Sequence, residues 1–235
     1  MLHRNYERDG GGNEGLQMSS ILLNGADNRE STAASSTAGS TRNSSRGTYL
    51  LLVLIACWLA AIGYGVHALR DYESTPGAVG ASPPVWPETS HILRDPHRGS
   101  LIMLIHPQCS RTGASLDELA AVMKQMDGRV SAWVLVAQPL DMPGSPARTA
   151  TWSQAQHIPG VIVVPDPAGT EARRFGAQTS GHVVLYDRTG HLRFSGGITA
   201  ARGHTGDNLG RQHLLEFLRG RVGGSGTHEV YGCPL

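Results

Sequence analysis

The sequence predicts an α/β fold: a three-layer α/β/α domain around a mixed sheet, preceded by one transmembrane helix. Three observations carry that reading. Short apolar runs at 101–105, 132–136 and 161–164 alternate with amphipathic segments, as buried parallel strands alternate with crossover helices. Two further apolar runs flank the turn Asp187-Arg188-Thr189-Gly190 and add an antiparallel hairpin. Ahead of both, Tyr49 to Val66 contains no charged residue.

Composition bounds the rest. The chain has 235 residues, enough for one domain with extensions. Its net charge of +1 gives no electrostatic footprint for nucleic acid, so no nucleic-acid partner is expected. The three cysteines, Cys57, Cys109 and Cys233, are too few for a disulfide scaffold and form no C-x-x-C or zinc spacing.

Residues 1–47 are rich in Ser, Thr, Asn and Gly and have no apolar period, which predicts a disordered cytoplasmic tail. Arg4, Arg8, Arg29, Arg42 and Arg46 are matched by Glu7, Asp9, Glu14, Asp27 and Glu30, so the tail is not a polybasic membrane tether. Residues 48–69 read as a signal-anchor helix, since about 20 apolar residues cross the ~30 Å hydrocarbon core. The run is apolar on all faces and lies between disordered-looking flanks, unlike a buried core helix, and it starts far from Met1, unlike a signal peptide. Arg42 and Arg46 precede it, while Arg70 is followed by Asp71 and Glu73; this bias leaves the C-terminal domain outside the cytoplasm. Residues 70–98 carry Pro76, Pro83, Pro84, Pro87 and Pro96 and read as an extended linker.

The folded domain is expected over 99–222. Ser100 to Ile105 is its first strand. Leu116, Leu119, Ala120, Met123 and Met126 then mark one helix face, with Asp117, Glu118, Lys124 and Gln125 off it and Gly128 closing the helix. Ala132 to Val136 is the second strand, Thr149 to His157 a short helix, Val161 to Val164 the third strand, and Gly169 to Phe175 another helix. His182 to Tyr186 and His191 to Phe194 form the hairpin. Asp207 or Asn208 caps a last helix with Leu209, His213, Leu214, Phe217 and Leu218 on one face. Residues 223–235 form a Gly-rich tail carrying Cys233.

One position stands out chemically. Cys109 lies between the first strand and its helix, where backbone N–H groups converge and stabilise a thiolate. Arg111 adds a cation beside it, and His106 stands three residues earlier as a proton acceptor or metal ligand. Each has a plainer reading: a buried inert thiol for Cys109, a loop-shaping role for His106. With His204, a Cys/His copper site is conceivable, although no dense ligand cluster exists. The glycine-rich stretches 196–199 and 203–210 can cradle an anion ahead of the last helix or serve only as a connection; they lack the Gly-Lys-Ser/Thr signature of a P-loop.

The order β-α-β-α-β-α-β-β-α resembles the thioredoxin-like superfamily. Within it, the chain is similar to the membrane-anchored bacterial RedB-type proteins over Ile105 to Cys109, Arg174 to Gly181, Leu185 to Asp187, Phe194 to Asn208 and Tyr231 to Leu235. The resemblance implies a single-pass protein of the bacterial inner membrane with a periplasmic redox domain. It implies thiol or disulfide-containing envelope proteins as partners and no cofactor or metal. Two departures qualify it. The group's H-P-x-C-x-C pattern has Arg111 at its second cysteine, and the turn Thr179-Ser180-Gly181 lacks the superfamily's cis-proline. The expected function is therefore thiol–disulfide chemistry with Cys109 as nucleophile, resolved either by Cys233 in a long-loop disulfide or by an external thiol. The alternative is a non-catalytic binding or copper-delivery module on the same fold.

Overall fold

The computed structural model describes residues 42–78, 80–140 and 149–235, with side chains from Ser45 onward. Most of the expected disordered tail lies outside the described residues; its end, 42–47, is helical. Helix α1 runs from Arg42 to Ser74, longer at both ends than the 48–69 span read from apolarity. No proline interrupts it before Pro76, and the Ser74 and Thr75 hydroxyls donate to the carbonyls of Arg70 and Asp71 in its last turn. Ser45–Ser74 is long and apolar enough to cross a membrane, and its apolar window is not buried against the protein.

The remaining elements follow the expected order: β1 (Gly99–Ile105), α2 (Thr112–Met126), β2 (Val130–Gln138), α3 (Ala150–Gln156), β3 (Val161–Pro167), α4 (Thr170–Arg174), β4 (His182–Tyr186), β5 (Leu192–Gly196), α5 (Leu209–Leu218) and β6 (Gly226–Thr227). The sheet has the order β3-β2-β1-β4-β5-β6. Parallel pairs β1–β2 and β2–β3 are crossover-connected, and β4 and β5 form the antiparallel hairpin, joined to β1 antiparallel. This mixed sheet with helices on both faces is a thioredoxin-like α/β/α fold.

Period-two alternation divides the core. Leu101, Met103 and Ile105 of β1 pack with α2, α3 and α5, while Ile102 and Leu104 pack with α4 and the segment around Trp86 and Ile92. Central position leaves β1 with every residue from Ser100 to Ile105 buried. The strand that ends at Cys109's loop is thus held on both edges and both faces.

Four sequence expectations shift. The proline-rich 70–98 stretch is not a free linker: Trp86 stacks edge-on against Phe175 and Tyr186, Ile92 joins the core, and Pro84 accepts from Leu192 N–H. Prolines set its extended backbone, but two large apolar side chains bind it to the sheet, the buried Ile92 contributing about 1.5–3 kcal/mol. Glu118 is 2% exposed, not surface-facing, because Arg211 Nη1 at 2.5 Å and Gly206 N–H at 2.5 Å satisfy its carboxylate. In α5, Leu214 and Leu215 are buried while Leu209 is exposed, so the buried stripe is rotated from the one read by spacing. Residues 223–235 are built into the sheet: β6 pairs with β5, His228 N–H donates to Ser195 O at 3.0 Å, and Val230 is buried.

Candidate functional site

The loop 106–111 leaves β1 and enters α2 with a tight backbone. Cys109 N–H donates to His106 O at 3.2 Å, and Thr112 N–H donates to Cys109 O at 3.1 Å. Arg111 is the helix N-cap but makes no side-chain capping bond. Its own backbone N–H donates to the Cys109 thiol. Burial pushes its pKa up, but hydrogen bonds from the Cys233 thiol, the Thr112 hydroxyl, the Arg111 amide and the Cys233 amide together hold it below its ordinary value.

A hydroxyl relay backs this thiol. His106 N–H donates to Ser180 Oγ at 2.8 Å, and Ser180 Oγ lies 2.8 Å from Thr112 Oγ1. Ser180 donating to Thr112 leaves the Thr112 hydrogen for Cys109. Ser180 lies in the turn Thr179-Ser180-Gly181, which has no proline. Its peptide bonds, like every one described, are trans.

The second sulfur arrives from the chain's end. The tail runs antiparallel to residues 178–180: Ser180 N–H donates to Cys233 O at 2.8 Å, Leu235 N–H donates to Gln178 O at 3.0 Å, and Thr179 bridges Pro234. Leu235 packs against the apolar cluster beneath α4. The approach is so close that a Cβ on Gly232 would stand 1.9 Å from Ser180 O. Only glycine fits there. Cys233 therefore faces Cys109, both as free thiols. Burial first, then the hydrogen bond to Cys109 and its charge, push the Cys233 thiol up to about 11, against the opposing pull of Arg202 and Arg111.

Arg202 secures this arrangement. It is 8% exposed, its Nη1 donates to Gly232 O, and its Nε and Nη2 donate to Thr75 O at 3.3 and 3.2 Å. Its guanidinium carbon lies 4.8 Å from the Tyr72 ring centroid, a cation–π distance, and its N–H donates to Glu73 O at 3.0 Å. Arg111 Nη1 lies 3.5 Å from Glu73 Oε1. The C-terminal turn of α1 thus touches both arginines of the site.

Of the residues singled out by sequence, Cys109, Arg111 and Cys233 converge. Arg111 acts on Cys109 through its backbone amide, while its guanidinium turns to Glu73. His106 shapes the loop: its Nδ1 accepts from Gln108 N–H at 3.2 Å. His204 Nδ1 lies 3.1 Å from Arg202 O. Cys57 is exposed on the apolar part of α1. Among the described residues, no three His, Cys, Asp or Glu side chains form a metal-holding group. Sequence reasoning missed Thr112, Ser180, Arg202 and Glu73. The turn containing Ser180 stands out in the sequence only for its lack of proline, and Arg202 lies in the Phe194–Asn208 resemblance, between the glycine-rich stretches 196–199 and 203–210.

No family model matches this chain, and no curated protein matches it. Among solved structures, it is similar to a hypothetical protein from Sinorhizobium meliloti 1021, with 17% identity, TM-score 0.53, and coverage of 69% of this chain and 97% of that one. An uncharacterised conserved protein from Geobacillus kaustophilus aligns at 16% identity and TM-score 0.50, covering 69% of this chain and 93% of that one. The exposed lipoprotein thioredoxin Etrx1 from Streptococcus pneumoniae aligns at 18% identity and TM-score 0.40, covering 53% of this chain and 85% of that one.

Proposed function

We propose that this chain is a membrane-anchored, extracytoplasmic thiol–disulfide exchange protein of the RedB-like kind, working through Cys109 and Cys233. One observation carries the reading. The tail pairs with residues 178–180 and sets Cys233 against Cys109, restoring from the chain's end the partner that Arg111 displaced from the loop. Two thiols held together exchange two electrons with a disulfide and need no cofactor. The stabilised Cys109 thiolate supplies reactivity, and α1, through residues 48–69, supplies the anchor in a bacterial inner membrane. The partners are thiol or disulfide-containing proteins of the envelope.

The test is turnover of a model dithiol peptide by oxidised glutathione, using the full-length protein in detergent micelles. Wild type should accelerate peptide oxidation, and Cys109→Ser and Cys233→Ser should each abolish the acceleration. Full activity in Cys109→Ser would overturn the reading.

A further inference from the structure

The two sulfurs of this pair face different surroundings, and on the exchange reading above that difference assigns their roles. Cys109 is 3% exposed and sits between the end of β1 and the start of α2, whereas Cys233 is partly exposed on the tail. A thiolate attacks a disulfide in line with the bond it breaks. Attack on Cys109 must come from the side opposite Cys233, and at 3% exposure Cys109 leaves little open path for an incoming thiolate. Attack on Cys233 comes from the side opposite Cys109, and Cys233 is partly exposed. Leaving ability follows the same asymmetry. A departing Cys109 thiolate is received by the Thr112 hydroxyl and the Arg111 and Cys233 amides.

We propose that partners exchange through Cys233 and that Cys109 is the sulfur expelled from the internal disulfide. This inverts the order expected from sequence, in which Cys109 meets the partner and Cys233 resolves. The reaction is oxidation of a partner dithiol. A partner thiolate attacks Cys233 Sγ, the Cys109–Cys233 bond breaks, and its electron pair stays on Cys109 as the held thiolate. The partner's second thiolate then attacks the partner sulfur of the mixed disulfide. Cys233 leaves as a thiolate and takes a proton from water. The partner loses two electrons, and the protein's disulfide gains them. In reverse, Cys109 is the intramolecular nucleophile that clears a partner from Cys233. A small or extended partner segment suits this entry, since it meets the tail without displacing it.

The test uses full-length oxidised protein in micelles. Reduced glutathione is added in excess at neutral pH, the reaction is quenched at sub-second times with acid and then alkylated, and the peptides are mapped by mass spectrometry. The result expected is glutathione on Cys233 with alkylated Cys109, in at least tenfold excess over the opposite isomer. Equal isomers, or glutathione mainly on Cys109, would overturn the inference while leaving the exchange function standing. Failure of the oxidised protein to contain the Cys109–Cys233 disulfide would overturn both.

Discussion

Cys109 and Cys233 are held in opposite ways. Cys109 follows the central strand, paired on both edges and buried on both faces, and its loop closes onto a helix of 15 residues. Cys233 lies on a short segment held by the backbone bonds to residues 178–180, by Leu235 and by the Arg202 clamp. The first half inherits the stability of the domain. The second depends on a few contacts, each of which can be lost without unfolding the sheet. Changes at the β1–α2 junction should therefore alter the acidity of the pair, and changes at the tail should alter whether a pair exists.

The sharpest break is Gly232→Ala. Its Cβ would collide with Ser180 O, a backbone atom that β4 and the tail both constrain. With the tail expelled, Cys233 reaches Cys109 only as a flexible end. The equilibrium constant for the internal disulfide against a glutathione buffer should fall by about 100-fold or more. The melting temperature of the domain should move only a few degrees. A wild-type constant would show that the tail is not held as described.

Arg202→Gln should come next. It removes charged hydrogen bonds to Gly232 O and Thr75 O, each worth about 1.5–3 kcal/mol when buried, with water recovering part of the loss. The same constant should fall about tenfold, and Arg202→Lys should recover part of it by keeping the charge and a bond to one of the two carbonyls.

On the other half, Thr112→Val acts on acidity. Removing a donor to the thiolate disfavours the charged form, so the Cys109 pKa should rise. Near neutral pH, the alkylation rate of reduced protein should then drop below that of wild type. The sign matters: Cys109 is held below its ordinary range and Cys233 is raised to about 11, so at pH 9 the reduced pair should carry no more than one thiolate. The smallest effect is expected for Glu73→Gln. Its ion pair with Arg111 is about one-third exposed on both sides, worth under about 1 kcal/mol, so the disulfide constant should stay within about twofold.

The same contrast explains what the sequence revealed. Local signals were strong for the Cys109 half. Apolar runs marked the buried strands, the Leu116–Met126 spacing marked α2, and a thiol at a helix start marked the chemistry. Those features depend on neighbours in the chain. The Cys233 half depends on contacts across the fold. Tail residues 223–235 read only as a Gly-rich tail because glycine-rich composition speaks of backbone freedom, whereas their order comes from pairing with residues 178–180 and 195–197. Trp86 and Ile92 were hidden for the same reason: proline content announced an extended backbone, not the sheet face it covers. Glu118 read as a surface charge because Arg211, its partner, is 93 positions away.

The central claim is that the two ends of the domain share one disulfide. Full-length protein in micelles, oxidised by oxidised glutathione and digested without reduction, tests it most directly. The account predicts a peptide pair joining Cys109 to Cys233 that separates on reduction, with Cys57 outside it. Recovery of Cys109 and Cys233 as free thiols, or joined only to glutathione, would contradict it.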